Sequence, residues 1–368
     1  MSRPDVLVVG GGIIGLACAR ELARAGMKVE VLERLSAGAE AALAAAGMLA
    51  PLAESPVPGP FFDACRTSRD LWMSWVPELQ DESGLTIDYD TSGALLVGLG
   101  KAEEEALGRY ARAAVELGES AEEVDTEILG RRVPDASPAI RRALWLAGEH
   151  RVDNIQACVA LAAATRSLGV TLTYGAPVER VERAGDGVRV SGEDWSREAG
   201  LLVLAAGAWS GRIPGLPELP VRPVRGQMLL LGGVEWPWKG TVRGLDAYAV
   251  RRGEIGLLVG ATVEEAGFAA HPTVSGVESL LGFTRRYLPG LDTARLETLW
   301  AGLRPGTPDG LPLLGALPDW PVVVATGHFR NGILLAPWTA REVARRVAAG
   351  LDAEDDGPFN PARFLERR

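Results

Sequence analysis

The sequence predicts an α/β protein in which a parallel sheet flanked by helices is interleaved with a second, mixed sheet. Three observations lead to this fold class. A strand, a glycine-rich turn, a helix and another strand open the chain over residues 4–34. Helices and strands of the same kind return at 154–211 and 322–349, whereas strongly alternating strands fill residues 221–259. Both parts are therefore discontinuous in sequence, and a cleft between them is the expected binding site.

The opening segment has the pattern of a dinucleotide-binding βαβ unit of the Rossmann type. Four apolar residues, Val6–Val9, form a short strand, and a helix and a second strand follow the glycine turn. In the turn, Gly10 permits the tight bend, Gly12 lets the backbone approach a pyrophosphate, and Gly15 lets helix and strand pack closely. Glu33 ends the second strand, where a carboxylate accepts hydrogen bonds from ribose hydroxyls and disfavours a 2′-phosphate. The segment therefore predicts a dinucleotide site.

The next stretch of the chain crosses from the first part to the second. An alanine run, Glu40–Ala46, leads into Gly47, which indicates a turn close to another segment. The proline-rich segment between Pro51 and Pro60 indicates irregular backbone. Apolar periodicity then predicts a helix at 61–83, a strand at 93–99, helices at 101–117 and 121–129, and a strand at 142–147.

The second half of the chain returns to the first part and then builds the second sheet. We expect a helix at 154–168, strands at 170–174 and 201–205, a hairpin at 178–191, sheet strands at 221–231, 247–251, 255–259 and 294–302, a helix at 275–287, and a closing strand and helix at 322–325 and 332–349. The strand at 201–205 is expected beside the first strand. The predicted domains are 1–85, 154–215 and 300–368 for the dinucleotide-binding part, and 86–153 and 216–299 for the substrate-binding part.

Composition excludes several classes of protein. The chain has 368 residues, 47% hydrophobic and 23% charged, which is typical of a two-domain globular protein. A net charge of −10 without a basic patch argues against nucleic-acid binding. The sequence has no run of eighteen apolar residues, so no integral membrane segment is expected. Leu7–Ala19 lacks the basic flank of a signal peptide beyond Arg3. Three scattered cysteines without a C-x-x-C indicate neither disulfides nor zinc, so a cytoplasmic location is expected.

The catalytic side chains are few. The chain has one G-x-G-x-x-G, which suits a single bound dinucleotide and a small substrate. His150, His271 and His328 lack metal-ligand spacing, and neither a G-x-S-x-G nor a Walker A sequence is present, so no metal site is predicted. This combination indicates an enzyme whose chemistry belongs to its cofactor.

Three further features are ambiguous from the residues alone. Arg304 stands between an apolar strand and a Pro/Gly-rich turn, where it either grips a substrate carboxylate or is a solvated loop arginine. Residues 327–337 join a strand to the last helix, and their N–H groups either face the cofactor or form an ordinary turn. Tyr248 lies on a predicted strand, where its hydroxyl either shares the carboxylate with Arg304 or belongs to the core.

The chain resembles the glycine oxidases within the D-amino-acid-oxidase family of FAD enzymes. The resemblance covers nearly the whole length and is carried by VVGGGIIG at 8–15, AAAGML at 44–49, RPVRGQML at 222–229, LLVGAT at 257–262, WAGLRPGTPDG at 300–310 and GHFRNGILLAP at 327–337. It implies a Rossmann-like FAD-binding domain interleaved with a mixed-sheet substrate-binding domain. That architecture agrees with the interleaving derived from the residues.

The resemblance also implies roles for particular residues. Arg304 is similar to the arginine that pairs with the substrate carboxylate, Tyr248 to its tyrosine partner, and Arg330 to a second arginine near the substrate. The residues expected to bind FAD, with the motif glycines included, are Gly10, Gly12, Ile13, Ile14, Gly15, Glu33, Arg34, Ala46, Gly47, Met48, Val178 at the adenine end, His328, Phe329, Arg330, Asn331, Gly332, Ile333 and Leu334.

The activity implied is oxidation of glycine, sarcosine and small D-amino acids by oxygen, giving the 2-oxo acid, ammonia or an amine, and hydrogen peroxide. FAD is expected to be non-covalent, because no cysteine follows Cys158 and no histidine precedes His150. The alternatives are a D-amino-acid or proline dehydrogenase with another electron acceptor, a non-catalytic FAD-binding subunit, and an NAD-dependent dehydrogenase. The resemblance further implies a homodimer or homotetramer, and it leaves thiamine biosynthesis and amino-acid catabolism as alternative settings.

Overall fold

The fold is given by a computed structural model that describes residues 3–351 and 357–365. Its strands, in chain order, are β1 (Val6–Val9), β2 (Val29–Glu33), β3 (Met48–Leu49), β4 (Tyr89–Asp90), β5 (Ala94–Gly98), β6 (Glu122–Glu123), β7 (Arg142–Leu146), β8 (His150–Val152), β9 (Thr171–Tyr174), β10 (Arg180–Ala184), β11 (Gly187–Ser191), β12 (Ser196–Ala199), β13 (Leu201–Leu204), β14 (Arg222–Gly232), β15 (Thr241–Arg243), β16 (Tyr248–Arg252), β17 (Gly256–Gly260), β18 (Arg295–Gly306), β19 (Leu313–Ala316) and β20 (Val322–Thr326). Its α-helices are α1 (Ile13–Arg24), α2 (Ala41–Ala44), α3 (Pro51–Glu54), α4 (Pro60–Ser83), α5 (Lys101–Leu117), α6 (Thr126–Arg132), α7 (Asn154–Ser167), α8 (Val274–Tyr287) and α9 (Gly332–Ala349).

The first large sheet contains six strands in the order β19-β20-β13-β1-β2-β9. All neighbours are parallel except β19 and β20. Alternate residues of β1 face opposite layers. Val6 and Val8 pack in the core with α1, α4, α7 and α9, whereas Leu7 and Val9 pack against the antiparallel sheet β10-β11-β12. The expected return of the chain beside β1 is confirmed, because β13 pairs with it in parallel.

The second large sheet contains eight strands in the order β18-β14-β17-β16-β15-β5-β7-β6. It is antiparallel except for the pair of β15 and β5, so the predicted mixed sheet is confirmed. One face packs on α8 through Leu229, Leu257 and Phe283. On the opposite face, Met228 and Leu258 share a cluster with Ala46 from the first part. The segment between α2 and β3 therefore packs on that second face.

Most predicted elements form at the expected places, and two differ. The helix predicted at 121–129 begins only at Thr126, because the Asp125 side chain accepts a hydrogen bond from Glu127 N and caps the helix there. Glu122 and Glu123 pair instead with β7. In the proline-rich segment, Pro51 occupies the first turn of the short helix α3, where its missing N–H costs nothing. The domain boundaries stay a prediction; β18 runs through the boundary placed at residue 300.

A proline inside α9 is compensated by two side chains of α4. Pro337 has no N–H to donate to Ile333 O, four residues earlier in the helix. Trp72 Nε1 donates to Ile333 O and Leu334 O at 3.1 Å each, and Ser68 Oγ donates to Leu334 O at 2.6 Å. Both side chains are fully buried. The bonds tie α4 to the helix that follows the last strand of the parallel sheet.

Replacing Trp72 by phenylalanine is expected to lower the free energy of unfolding by about 1–3 kcal/mol, because a buried carbonyl loses its donor. Urea unfolding followed by far-UV circular dichroism measures this. Trp236→Phe is the matched control, since Trp236 is also buried and its Nε1 has no hydrogen-bond partner among residues 3–351 and 357–365. A larger loss in Trp236→Phe than in Trp72→Phe would contradict this explanation.

The cysteines and the helices relate to two expectations from the sequence, namely that disulfides and an integral membrane segment are absent. Cys18, Cys65 and Cys158 are free and buried. Among residues 3–351 and 357–365, no helix combines the length and the apolar character needed to span a lipid bilayer.

Candidate active site

A cavity of about 360 Å³ opens between the two large sheets. Most residues expected at the site line it, namely Gly10, Gly12, Ile13, Ile14, Glu33, Arg34, Ala46, Gly47, Met48, Val178, Tyr248, Arg304, His328, Phe329, Arg330, Asn331, Gly332 and Ile333. Gly15 and Leu334 do not line it, since each lies behind the surface of the cavity. The cavity therefore brings together residues that are more than 300 positions apart in sequence.

At one end of the cavity, the three motif glycines occupy different environments. A Cβ on Gly10, whose φ is +107°, would lie 2.3 Å from Ala205 O. A Cβ on Gly15 would lie 1.9 Å from Gly10 O. Any side chain at these two positions would therefore separate β1 from β13 or from α1. A Cβ on Gly12 would meet nothing within 4 Å, so the backbone at the start of α1 is open to the cavity.

Glu33 is oriented by backbone donors at the end of β2. Its Oε2 accepts from Gly11 N at 2.7 Å and its Oε1 accepts from Leu35 N at 2.8 Å. The neighbouring Arg34 stacks on Trp209, with the guanidinium carbon 3.8 Å from the ring centroid. Trp209 also lines the cavity, and sequence reasoning missed it because it lies on a 3₁₀ turn after β13, far from the motif.

The alanine run ends in a close backbone contact, as Gly47 predicts. Gly47 has φ +78°, and a Cβ there would lie 1.8 Å from Val152 O. Its own carbonyl accepts from Val152 N at 2.9 Å. This contact begins the small sheet β3-β8-β4 and holds Ala46 and Met48 against the cavity.

The segment between β20 and α9 presents backbone to the cavity. Gly327 and Phe329 have positive φ values of 76° and 48°, and Asn331 N donates to His328 O at 2.8 Å. The His328 ring is buried and bonded to Thr339 Oγ1 at 2.9 Å, and burial lowers its pKa to about 3. The imidazole is therefore neutral. The first N–H groups of α9 have no partner within the helix, so this edge favours negative charge.

At the other end of the cavity, five residues stand in register across the second sheet. They are Trp300 on β18, Met228 on β14, Gly260 on β17, Tyr248 on β16 and Arg243 on β15. The Tyr248 hydroxyl reaches over β17 to donate to Met228 Sδ at 3.6 Å. A Cβ on Gly260 would lie 3.0 Å from that hydroxyl and 2.2 Å from the sulfur. Gly260 therefore leaves the space that the tyrosine occupies.

Arg304 lies within β18 and is half-buried, so the structure excludes the solvated-loop alternative. Its Nη1 donates to Thr262 O at 2.9 Å and to Arg225 O at 3.4 Å. The guanidinium covers Gly226, where a Cβ would lie 2.2 Å from Nη2. No carboxylate of the described residues forms an ion pair with Arg304. Burial lowers the pKa of Arg304 while the nearby Tyr248 opposes that shift, and the group remains cationic.

Sequence reasoning also missed two charged cavity residues that contact each other, Glu54 at the end of α3 and Arg243 at the end of β15. Glu54 Oε1 accepts from Arg243 Nη1 at 2.9 Å, and its Oε2 lies 2.9 Å from Arg330 Nη2. Burial works against ionisation of Glu54, but Arg243 and Arg330 outweigh it and hold the pKa below its ordinary value. The only sequence signal was an isolated acid in the proline-rich segment. Within the described ranges, no group of three His, Cys, Asp or Glu side chains is placed to hold a metal.

Glu149 anchors the helix that carries Glu54. Its Oε1 accepts from Leu52 N at 2.9 Å and from Ala53 N at 3.2 Å, and its buried Oε2 has no partner in the part of the chain that the structure describes. Burial raises the pKa of the Glu149 carboxyl to about 8, against the opposing effect of the two N–H groups. At neutral pH the carboxyl is therefore protonated.

Replacing Glu149 by glutamine is expected to stabilise the protein increasingly as pH rises. An exposed glutamate titrates at about 4.3, so between about pH 5 and 8 the folded chain holds a proton here that the unfolded chain has already released. The native protein therefore loses free energy of unfolding as pH rises through that window. Glutamine does not titrate, so the variant avoids this loss, and its side-chain oxygen can still accept from the N–H groups of α3. Urea unfolding at pH 5.5 and pH 9 measures the difference. The exposed Glu235→Gln serves as control, and equal shifts in both variants would contradict the assignment.

Comparisons with known proteins agree with this geometry. The family described as FAD dependent oxidoreductase matches residues 5–346. The glycine oxidase of Bacillus licheniformis is 34% identical over 94% of this chain and 93% of its own length. The crystal structure of glycine oxidase from Geobacillus kaustophilus superposes with a TM-score of 0.93 at 31% identity, covering 100% of both chains.

A third relative is longer. The bifunctional protein ThiO/ThiG of Synechocystis sp. is 37% identical over 98% of this chain, which spans only 54% of that relative's length. The family match extends from before β1 into α9, and thus covers the strands and helices that line the cavity. On this evidence, the chain belongs to the FAD dependent oxidoreductase family.

Proposed function

We propose that this protein is an oxidase that uses FAD and oxygen to deaminate glycine and other small amino acids. The observation that carries the proposal is the convergence of Arg304 and Tyr248 at one end of a cavity whose other end is a dinucleotide cradle. Sarcosine and small D-amino acids are the other expected substrates. The relatives that share most of the chain's length are named glycine oxidases, which supports the same substrate class.

The cavity fits FAD. The open backbone at Gly12 leaves room for a pyrophosphate at the start of α1, where free N–H groups and the helix dipole favour phosphate. Glu33 keeps lone pairs on both oxygens beside its two backbone bonds, and these can accept from ribose hydroxyls. The start of α9 would hold the electron-rich end of the flavin ring with its free N–H groups. When bound, FAD would supply the two-electron redox chemistry of the reaction, with oxygen as the final acceptor.

The protein's own contribution is to hold the substrate. Arg304 has guanidinium donors left after its bonds to Thr262 O and Arg225 O, and these can bind the substrate carboxylate. Burial raises the pKa of Tyr248, so its hydroxyl stays protonated and can turn from Met228 Sδ to donate to the same carboxylate. A carboxylate that is bound at two points orients the α-carbon. Alignment of this kind can lower an activation barrier by about 7–11 kcal/mol.

The overall reaction balances with glycine, water and oxygen as its reactants. Glycine loses two electrons and two protons and becomes an imine, and water converts the imine to glyoxylate and ammonia. Oxygen takes up the two electrons and two protons as hydrogen peroxide. Arg330 forms an ion pair with Glu54 and lines the same end of the cavity, where it adds a positive charge to those of Arg304 and Arg243.

The test is anaerobic mixing of the FAD-loaded protein with glycine, sarcosine, D-alanine, D-proline and L-proline, followed by admission of air. Bleaching of the flavin by glycine or a D-amino acid, reversed quickly by air, is the expected result. Bleaching that air does not reverse would instead establish a dehydrogenase with another acceptor. A flavin that none of the five bleaches would overturn the substrate assignment. Cytoplasmic location stays a prediction from the cysteine pattern, and homodimer or homotetramer assembly and the metabolic setting stay predictions from the resemblance.

A further inference from the structure

The segment that follows β17 contains one residue more than the part of β14 that it faces. Strand β17 pairs with β14 as far as Gly260 and Met228, and the two chains pair again at Glu264 and Arg225. Three residues lie between these pairs on the β17 side, and two lie between them on β14. An extra residue of this kind is a β-bulge, which interrupts the ladder and redirects the groups within it. Residues 261–263 are called the bulge below.

The bulge and its neighbour on β14 supply the carbonyl groups that orient Arg304. Arg304 Nη1 donates to Thr262 O, inside the bulge, at 2.9 Å and to Arg225 O, beside it, at 3.4 Å. Arg225 O also accepts from Glu264 N at 3.0 Å, and Glu264 O accepts from Arg225 N at 2.9 Å. The direction of the Arg304 guanidinium therefore depends on how the bulge is closed against β14.

A single carboxylate, that of Glu264, closes the bulge. Its Oε1 accepts from Thr262 Oγ1 and, at 2.7 Å, from Gln227 Nε2. Its Oε2 accepts from Arg225 Nη2 and, at 3.1 Å, from Arg225 Nε. Burial works against ionisation of Glu264, but these side-chain bonds outweigh it and hold the pKa below its ordinary value. The two residues whose carbonyls bind Arg304 thus both donate from their side chains to the same anion.

The network around Glu264 is anchored to the start of α8. The Gln227 side chain is fully buried, and its Oε1 accepts from Thr273 N at 2.7 Å while its Nε2 donates to Thr273 Oγ1 at 2.9 Å. Thr273 in turn caps α8, because its side chain accepts from Gly276 N at 3.3 Å. Glu264 does not line the cavity, so any effect on the substrate must pass through Arg304.

We propose that Glu264 is a positioning residue, which keeps the bulge closed so that Thr262 O and Arg225 O hold Arg304 against the substrate carboxylate. The inference rests on the proposed function, in which Arg304 binds that carboxylate. Glutamine at position 264 has one acceptor oxygen instead of two, and its NH2 group would face side chains that are themselves donors. One side of the bulge then opens and Arg304 shifts.

The test is a double-mutant cycle on glycine oxidation by the holoenzyme. Glu264→Gln is expected to lower kcat/KM by roughly 10- to 100-fold, with a fall in kcat as well as a rise in KM, because a misplaced contact loses alignment. In an Arg304→Leu background, the same substitution is expected to change kcat/KM by less than about twofold, because its effect passes through Arg304. Equal fold-losses in both backgrounds would overturn the proposal, since Glu264 would then act independently of Arg304.

Thr262→Val provides a milder variant. Valine keeps the size of the side chain and the carbonyl that binds Arg304, but it removes the hydroxyl that donates to Glu264. A loss in kcat/KM of roughly 3- to 10-fold is expected, again only while Arg304 is present. Native kcat/KM in both Thr262→Val and Glu264→Gln would overturn the proposal.

Glu103→Gln is the matched control. Like Glu264, Glu103 is a carboxylate that accepts from several donors, among them Gly100 N at 3.1 Å, Tyr287 Oη at 3.0 Å and Arg286 Nη2. It lies at the start of α5 and does not line the cavity. The control loses a similar set of bonds, and its kcat/KM is expected to stay native. A fall as large as that in Glu264→Gln would also overturn the proposal.

A binding measurement separates this inference from the proposed oxidase activity. Acetate has a carboxylate but no amine, so calorimetric titration of the holoenzyme with acetate reports carboxylate binding without turnover. Its affinity is expected to fall at least about tenfold in both Arg304→Leu and Glu264→Gln, and to stay native in Glu103→Gln. A loss in Arg304→Leu alone would overturn the inference and leave the carboxylate assignment standing.

The other outcomes of the titration are equally distinct. Native acetate affinity in Arg304→Leu would overturn the carboxylate assignment and, with it, the role of Glu264. Weakened binding in both Arg304→Leu and Glu264→Gln, from an enzyme that does not oxidise glycine, would support the positioning role and overturn only the proposed activity.

Discussion

Arg304→Leu is expected to lower kcat/KM for the best amino-acid substrate by roughly 30- to 1000-fold. The variant removes the guanidinium that we assign to the substrate carboxylate, and truncating one partner of a buried charged pair costs about 2–4 kcal/mol at roughly 1.4 kcal/mol per tenfold change. The effect should appear in kcat as well as KM, because the same contact orients the α-carbon. Oxygen uptake at varied substrate concentration measures both parameters.

Arg304→Lys provides the control for charge alone. Lysine keeps the positive charge but not the two parallel donors, so its activity is expected between those of the native and leucine enzymes. The flavin absorbance per polypeptide should stay constant across all three proteins, since Arg304 is on the opposite side of the cavity from the motif glycines. Native kcat/KM in the leucine variant would show that Arg304 does not bind the substrate carboxylate.

Gly226→Ala is expected to lower kcat/KM by about 100-fold, although it adds one methyl group and changes no charge. The new Cβ would lie within 2.4 Å of three guanidinium atoms of Arg304. Overlap of that size forces the arginine to move, and a misplacement of about 1 Å at a reacting centre costs on the order of 100-fold. Steady-state kinetics and the Arg304 position in a crystal structure of the variant test the explanation.

Gly232→Ala, on the same strand, is the matched control. The three atoms nearest to its Cβ would be Oε1, Cγ and Cδ of the exposed Glu297 side chain, which can turn away. Native-like kinetics are expected from this variant. If Gly226→Ala also keeps native kinetics, the space above Gly226 does not position Arg304.

The parallel sheet was readable from sequence because its determinants are local. Val6–Val9, the three glycines and Glu33 fall within 28 residues, and each has a short-range steric or hydrogen-bonding reason for its identity. Their environments in the structure match those reasons: tight contacts at Gly10 and Gly15, and open space at Gly12.

The substrate end was less readable because it depends on strand register. Arg243 reaches Glu54 across 189 positions, and only the pairing of β15 with β16 sets it opposite Tyr248. A lone arginine at the end of a three-residue strand carries no local pattern. Arg304 and Tyr248 were themselves ambiguous from their neighbours, and the resemblance to known enzymes, not periodicity, favoured their role in the site.

The most direct test of the account is the rate of anaerobic flavin reduction by glycine compared with methylamine. The two share the amine and differ in the carboxylate, which Arg304 and Tyr248 are proposed to hold. Stopped-flow absorbance gives both rate constants in a single turnover, without oxygen. We predict that glycine reduces the flavin and that methylamine at equal concentration is slower by at least about 100-fold, as loss of a positioning contact implies. Reduction by methylamine within a few-fold of the glycine rate would contradict the carboxylate clamp on which the proposed function rests.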